Sequence, residues 1–459
     1  MALQSPVHDV SVMFTRSRIA LATQFLFICF TLVSCDHEAG WFRTTEDGKR
    51  GGLDYSRPIS DQVTATTCLS RDSFVRVNGN RFEIDGKEFI FAGWNQWEVM
   101  EASNNVGPPA RHLPLDGREH MVRVMNAAVE SGLKVVRIWT HTITKGYEVQ
   151  TSPGVWNEEL LRGLDWFLSE ARKRQIRVTL VLADFWYELG VQRFVDWSSA
   201  AKSKQDFYTD DECKKMFKDT IKTIVTRRNT FNNLRYSEDA TIMSYNLINE
   251  ARCQGCPAST IGRWVDEMGS YLKSLAPNAL LSLGYEGFYH SSDGSELLNT
   301  NPGEGGSDWA SKEGQSFARH VRLKVVDYIS IHVWPDNWRP KTVEFQRKFI
   351  QSRIDYVNSL GDSLGKPFVL EEFGKQIDRK NGEGFSERDK YFASAFALAE
   401  KEARNGRVSG TLFWHLYDLG VGLQSSYGIH VDESTFELVA RHAKRMNAIS
   451  DARDFCRKQ

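Results

Sequence analysis

The chain lacks an excess of either charge. Lys and Arg total 58 and Asp and Glu total 59, so no field of one sign attracts a polyanion, and nucleic-acid binding is not expected. It also lacks a complete zinc-ligand set. Cys253-x-x-Cys256 has no second cysteine pair or histidine pair at ligand spacing. His141, His290, His332 and His415 fall on separate segments with no H-x-x-x-H pair, so metal catalysis has little support. No glycine-rich phosphate fingerprint follows the first apolar strand, which argues against a doubly wound nucleotide-binding sheet. No Asn-x-Ser/Thr sequon occurs, so N-glycosylation offers no argument for secretion.

Long apolar runs are also missing. The longest begins after Arg16 and Arg18 and extends from Ile19 to Val33, about 15 residues where a membrane span needs about 20. A basic start, an apolar stretch and small residues fit a secretory signal over residues 1–35, with Met13 as a possible start. Leu32–Val33–Ser34–Cys35 also resembles a lipoprotein cleavage box. The expectation is a secreted, extracellular protein without stable membrane association. Secretion permits disulfides. A local Cys253–Cys256 bridge, or pairing of either with Cys213, is expected, and Cys68 and Cys456 could tie the domain ends together.

The composition is otherwise that of an ordinary globular protein, 41% hydrophobic and 25% charged. Aromatics are abundant at 12%, with 13 Trp. They fill cores by default, but their faces also stack on sugar rings. Residues 36–70 are polar and aperiodic and read as a linker or loose arm. Residues 71–459 read as one catalytic domain, since α/β barrels commonly run to about 250 residues and more.

Turn signals at Asn78–Gly79 and Asp85–Gly86 predict a short hairpin over 75–88. Eight apolar strands follow, near 88–95, 134–140, 177–183, 241–249, 280–286, 327–334, 367–373 and 409–416. Helical periodicity recurs between them, capped by Asn157 and closed by Gly132 at two places. Seven helices are expected between the strands and an eighth after the last. Near-continuous apolar strands alternating with helices mean a covered parallel sheet. Eight units suggest a closed (β/α)8 TIM barrel, its bottom plugged by the hairpin. An open doubly wound sheet is the alternative.

In such a barrel the strand C-termini form the catalytic face. Those ends carry Trp94–Asn95–Gln96–Trp97, Arg137–Ile138–Trp139–Thr140–His141, Asp184–Phe185–Trp186 and Asn249–Glu250–Ala251–Arg252. The remaining four carry Glu286–Gly287–Phe288–Tyr289, His332–Val333–Trp334, Glu371–Glu372–Phe373–Gly374 and Trp414–His415. Carboxylates gathered on one rim suit glycoside hydrolysis, in which two carboxyls flank one bond. The fourth and seventh strands lie across the mouth, so Glu250 can face Glu371 or Glu372. Strand alternation points those two to opposite sides, so only one is expected to face the mouth. Arg137 would lower a nucleophile's pKa, Trp414 would floor the cleavage site, and Asn249 could hold a sugar 2-hydroxyl.

At these residues the chain resembles glycoside hydrolase family 5, and most of all its plant and fungal mannan endo-1,4-β-mannosidases. The resemblance runs from about Phe82 to Met446 through "VRIWTHT", "SEDATIMSYNLINEARC", "GYEGFY", "IHVWPDNW" and "EEFGK". It implies a retaining mechanism without cofactor, acting on β-mannan; a monomer is expected. It implies Glu250 as acid/base and Glu372 as nucleophile. Arg137, Trp139, Asn249, Arg252, His332, Trp334 and Trp414 are then the substrate-binding set, and Glu371→Gln should retain substantial activity. Two departures stand out. Ala251 replaces the motif's proline, and Trp334 replaces a tyrosine whose hydroxyl could bond the nucleophile. A β-glucanase of the same family and a non-catalytic carbohydrate-binding barrel are the competing readings.

Overall fold

The apolar runs become strands buried on both faces. They are β1 Phe91–Gln96, β2 Val135–Trp139, β3 Arg177–Val181, β4 Ile242–Asn246, β5 Leu280–Ser282, β6 Ile329–Val333, β7 Phe368–Phe373 and β8 Gly410–Phe413, and every residue in them is buried. The structure is a computed structural model describing residues 72–107, 110, 113, 116–303, 308–338, 340–378, 382–418 and 426–457. The signal, the linker arm and Cys68 lie outside the described residues, as does the side chain of Cys456. Among the described residues, no helix is long and apolar enough to cross a membrane.

The strands form one parallel sheet in the order β5-β4-β3-β2-β1-β8-β7-β6. The two end strands meet through individual bonds. Asp327 N–H donates to the Leu281 carbonyl at 2.8 Å, and Leu281 N–H donates to the Asp327 carboxylate at 2.7 Å. Gly284 N–H reaches Ser330 Oγ at 3.2 Å. The sheet is therefore a barrel with its seam between β5 and β6, as the eightfold alternation predicts.

The outer layer is α1 Gly117–Ser131, α2 Glu158–Lys173, α3 Asp211–Thr226, α4 Ala258–Leu275, α5 Val343–Ser359, α6 Phe385–Arg404 and α7 Ser434–Arg457. Asn157 caps α2 by accepting from Glu159 and Leu160 N–H, and Gly132 ends α1 at φ 88°. The expected helix between β5 and β6 is replaced, among the described residues, by the short turns Ser295–Leu298, Trp309–Lys312 and Phe317–His320. That stretch has no sustained 3.6-residue apolar period, so a long helix there would have no face to bury.

At the N-terminal end of the barrel, antiparallel pieces Arg76–Asn78, Arg81–Ile84 and Lys87–Glu88 form a small sheet. Its Phe82 and Ile84 cluster with Phe91, Val135, Met243, Leu280, Val369 and Leu412 from the strand starts. Helix α7 ties this end down. Ile90 N–H donates to Ser450 Oγ at 3.1 Å, and Arg453 Nε reaches Glu88 at 2.9 Å.

One register detail matters for the site. On β6 and β7, Ile331 pairs with Leu370 but His332 pairs with Glu372. Glu371 is the extra residue of a β-bulge, which breaks strict alternation. Both Glu371 and Glu372 therefore lie inside the barrel, where simple alternation allows only one.

Candidate active site

Arg137 is the buried hub of the mouth. Its Nε donates to Asn246 Oδ1 at 2.6 Å, Nη1 to Asn95 Oδ1 at 3.1 Å and to Glu372 Oε1, and Nη2 to Asn249 Oδ1 at 2.7 Å. Asn95, Arg137, Asn246 and Asn249 come from β1, β2, β4 and the β4 end, so the fork is held by three strands. A planar guanidinium with four of its five N–H groups engaged is fixed in place.

Glu250 follows β4 in the left-handed region at φ 52°. Such a backbone is rare for a residue with a side chain and marks a constrained turn. Its N–H donates to the Gly284 carbonyl at 2.7 Å. Ala251 is buried, and its carbonyl accepts from Gln315 at 3.2 Å. The Glu250 carboxylate accepts three N–H donors. His332 Nδ1 (2.9 Å) and Trp334 Nε1 (3.1 Å) meet Oε1, and Trp186 Nε1 (2.7 Å) meets Oε2. The Trp334 donor thus serves Glu250, whereas the family tyrosine was expected to serve the nucleophile.

His332 on β6 touches all three acids. Its Nδ1 is 2.9 Å from Glu250 and 3.4 Å from Glu372 Oε2, and its Nε2 is 3.4 Å from Glu371 Oε2. Carboxylate oxygens of Glu250 and Glu372 lie within 4.8 Å of each other and of the imidazole. Glu371 sits one layer deeper, against Arg137 Nε at 3.8 Å, Asn246 Nδ2 at 3.3 Å, Ser282 Oγ at 3.2 Å and Tyr328 OH at 3.3 Å.

Three carboxyls therefore surround two cations, and burial decides how the charge is shared. Burial pushes Glu371 up, but Arg137 and His332 overcome it and hold the acid at about 2. Burial also pushes Glu372 up, and despite His332 and Arg137 it rests at about 7, with Glu250 adding repulsion. Glu250 runs against its own burial: the His332 bond and charge, Arg252 and the Trp186 N–H hold it below the usual carboxylate range. Burial would neutralise His332, but Glu372, Glu250 and Glu371 raise it to about 10. The three acids and His332 thus titrate as one linked set, in which Glu372 is pushed up and Glu250 and Glu371 are held down.

Other residues support this layout. Asn249 is set on both sides, accepting from Arg137 and donating to Asp184 Oδ2 at 2.8 Å. Asp184 also accepts the N–H groups of Trp186 (2.6 Å) and Tyr187 (2.9 Å). Burial raises Asp184 to about 6 despite these bonds. Arg252 is turned away from open solvent. Its Nε donates to Glu286 at 2.7 Å, and its guanidinium lies 4.6 Å from the Trp186 ring centre. Trp139 is buried beneath Trp414, their rings edge to face at 5.5 Å, and it lies 4.8 Å from the Arg137 guanidinium. Trp414, partly open, meets Trp334 at 5.6 Å, and Trp334 meets Tyr427 at 5.1 Å. Cys253 and Cys256 form the local disulfide beside Glu250, and Cys213 is free and buried.

All nine singled-out residues therefore converge on one end of the barrel. Trp139 and Arg252 back other groups, whereas Glu250, Glu372, Asn249, Trp334 and Trp414 line the opening. Sequence reasoning gave no role to Asp184, Trp186, Asn95, Asn246 or Glu286, and held Glu371 as the alternative to Glu372 across the mouth. Asp184 and Trp186 were visible as the end of β3. Asn95 was visible at the end of β1, whereas Asn246 read as an ordinary strand residue and carried no signal.

Two buried carboxylates facing across a barrel mouth, with a fixed guanidinium, an imidazolium and an aromatic floor, define a glycoside hydrolase. Comparison with known proteins agrees. The model of GH family 5 beta-mannosidase-like proteins matches residues 72–428. Mannan endo-1,4-beta-mannosidase 7 of Arabidopsis thaliana is 32% identical over 403 residues, covering 84% of this chain and 88% of the relative. The endo-beta-1,4-mannanase structure from Thermotoga petrophila aligns with TM-score 0.64 at 26% identity, over 79% of this chain and 78% of that one. The family 5 mannosidase from Rhizomucor miehei shares the fold with TM-score 0.66 at 22% identity, covering 83% of this chain and 100% of that one. The chain belongs to glycoside hydrolase family 5, in its beta-mannosidase-like group.

Proposed function

We propose that the protein is an endo-β-1,4-mannanase that cleaves internal bonds of β-mannan with retention of configuration. The carrying observation is the carboxylate pair. Oxygens of Glu250 and Glu372 within 4.8 Å of each other leave no room for the water that an inverting pair, about 6.5–9.5 Å apart, must hold. The mannanase relatives over most of the chain support the glycan. The basic and apolar N-terminal stretch supports export.

In this reading Glu372 attacks the anomeric carbon while Glu250 gives its proton to the departing glycosidic oxygen. Glu250, now a carboxylate, then takes a proton from water, whose oxygen attacks the anomeric carbon and releases Glu372. Arg137 carries positive charge against Glu372 as it ionises. Asn249 keeps one amide hydrogen beyond its bond to Asp184, placed for a sugar 2-hydroxyl. His332 Nδ1 lies between the two acids, so the charge of each is felt through it by the other.

Mannohexaose digestion tests the endo reading, with mannobiose to mannotetraose expected early and mannose scarce. A reducing-end assay on mannan, cellulose and mixed-linkage glucan separates this from the β-glucanase alternative, with mannan preferred. Dominant release of mannose, or preference for cellulose, would contradict it.

A further inference from the structure

Glu250 accepts three N–H donors, which favour it as a carboxylate and oppose its protonation. Protonating Oε1 weakens the bonds from His332 and Trp334, and protonating Oε2 weakens the single bond from Trp186. An indole N–H has no acceptor lone pair to offer in return. His332 is buried, and Trp334 is edge-packed between Trp414 and Tyr427. Trp186 differs. It stands in the segment after β3, and 49% of it is exposed. Arg252 lies over its ring at 4.6 Å and Phe185 meets it edge to face at 5.6 Å. Neighbouring Tyr187 is 44% exposed. An open indole beside the acid's outward oxygen is where the sugar on the leaving-group side would sit.

We infer that Trp186 is a substrate-displaced donor: its indole N–H holds Glu250 as a carboxylate in the free enzyme, and a pyranose stacking on the indole draws that N–H away and frees Oε2 for a proton. The inference rests on the reading of Glu250 as acid/base. It adds the device that arms this acid only when a sugar occupies the leaving-group side. The charged and titratable groups facing Glu250 are Asp184 and Tyr187 after β3, Arg252 on its own loop, Glu286 after β5, His332 on β6 and Glu372 on β7. A Trp186→Phe substitution changes none of them and keeps a ring against Arg252.

The test is the pH dependence of kcat and kcat/KM on mannohexaose. The alkaline limb of kcat/KM reports the acid in the free enzyme, and that of kcat reports it in the complex. In the wild type the kcat limb should lie above the kcat/KM limb. Trp186→Phe should raise the kcat/KM limb by about one to two pH units, the loss of one hydrogen bond to a charged group, and bring the two limbs together. Trp186→Ala should do the same and also raise KM severalfold. Coincident limbs in the wild type, or an unmoved kcat/KM limb in Trp186→Phe, would overturn the inference. A separate arm keeps the underlying reading distinct: Glu250→Ala with azide and a dinitrophenyl β-mannobioside. Formation of the β-mannobiosyl azide supports Glu250 as acid/base whatever Trp186 does, and its absence would overturn that assignment.

Discussion

His332 stands between Glu250 and Glu372, its Nδ1 2.9 Å from an oxygen of the first and 3.4 Å from an oxygen of the second. One imidazolium thus links the two acids that a double displacement uses, while its other nitrogen rests on Glu371. The site works as a charge network in which no acid is independent of the others.

That network revises the expectation for Glu371. It pairs with Arg137 and His332 and accepts from Asn246, Ser282 and Tyr328. Breaking a buried pair costs about 3–5 kcal/mol when a charge is left behind. Glu371→Gln should therefore lower the unfolding free energy by about 2–4 kcal/mol, since Glu372 still faces Arg137. It should also lower kcat at least tenfold, because His332 loses a carboxylate that keeps it protonated. Urea unfolding and mannohexaose kinetics check both.

Trp334 gives a second prediction. Its N–H is one of the two donors on Glu250 Oε1. Trp334→Phe keeps ring contact with Trp414 but removes that donor. A hydrogen bond to a charged group contributes about 1.5–3 kcal/mol, so kcat/KM should fall about 10- to 100-fold if the bond persists in the transition state. Steady-state kinetics decide it.

Stability should be highest near pH 4.5, fall gently to about pH 6.5 and fall more steeply above it, with the limits set by reference pKa values. Burial raises Glu98 to about 8, Glu101 to about 7 and Glu372 to about 7. Between their unfolded and folded values the folded state binds more protons, so stability falls as pH rises toward 8. His332, raised to about 10 by its three acids despite burial, contributes stability below about 6.5 that is lost as pH rises through 10. On the acid side, burial lowers His120 and His141 to about 3. Glu371 is held at about 2 by Arg137 and His332 against its burial. For these groups the unfolded state binds more protons, so stability falls as pH drops below about 4.5. Between 4.5 and 6.5 the raised acids and the neutral histidines oppose each other. Thermal midpoints across pH 3–9 measure the curve.

Product stereochemistry gives a fourth prediction. Retention requires the β-anomer of the new reducing end to appear first. Proton NMR in the opening minutes of mannohexaose hydrolysis should show it, with the α-anomer rising later by mutarotation.

Much of this was legible in the sequence because it depends on local pattern. Apolar runs at 134–140 and 367–373 read as covered strands, and Gly132 and Asn157 marked the helix ends on either side of the first. A parallel barrel brings all strand ends to one rim, so Glu250, Glu372 and Arg137 could be grouped before any coordinates. What stayed hidden depends on register and side-chain direction. The bulge that brings Glu371 inside exists only as a pairing between β6 and β7. Arg252 read as a cleft residue, yet it turns to Glu286 and Trp186, because a long side chain in an aromatic pocket finds its acid there. Trp334 was flagged as a departure, but its donor direction depended on the position of Glu250.

The central claim is that Glu372 forms the covalent bond to the sugar. Incubation with an activated 2-deoxy-2-fluoro-β-mannoside, followed by intact mass and peptide mapping, tests it directly. The account predicts one glycosyl adduct, located on Glu372, that is lost in Glu372→Gln. An adduct on Glu371 or on Glu250 would contradict it.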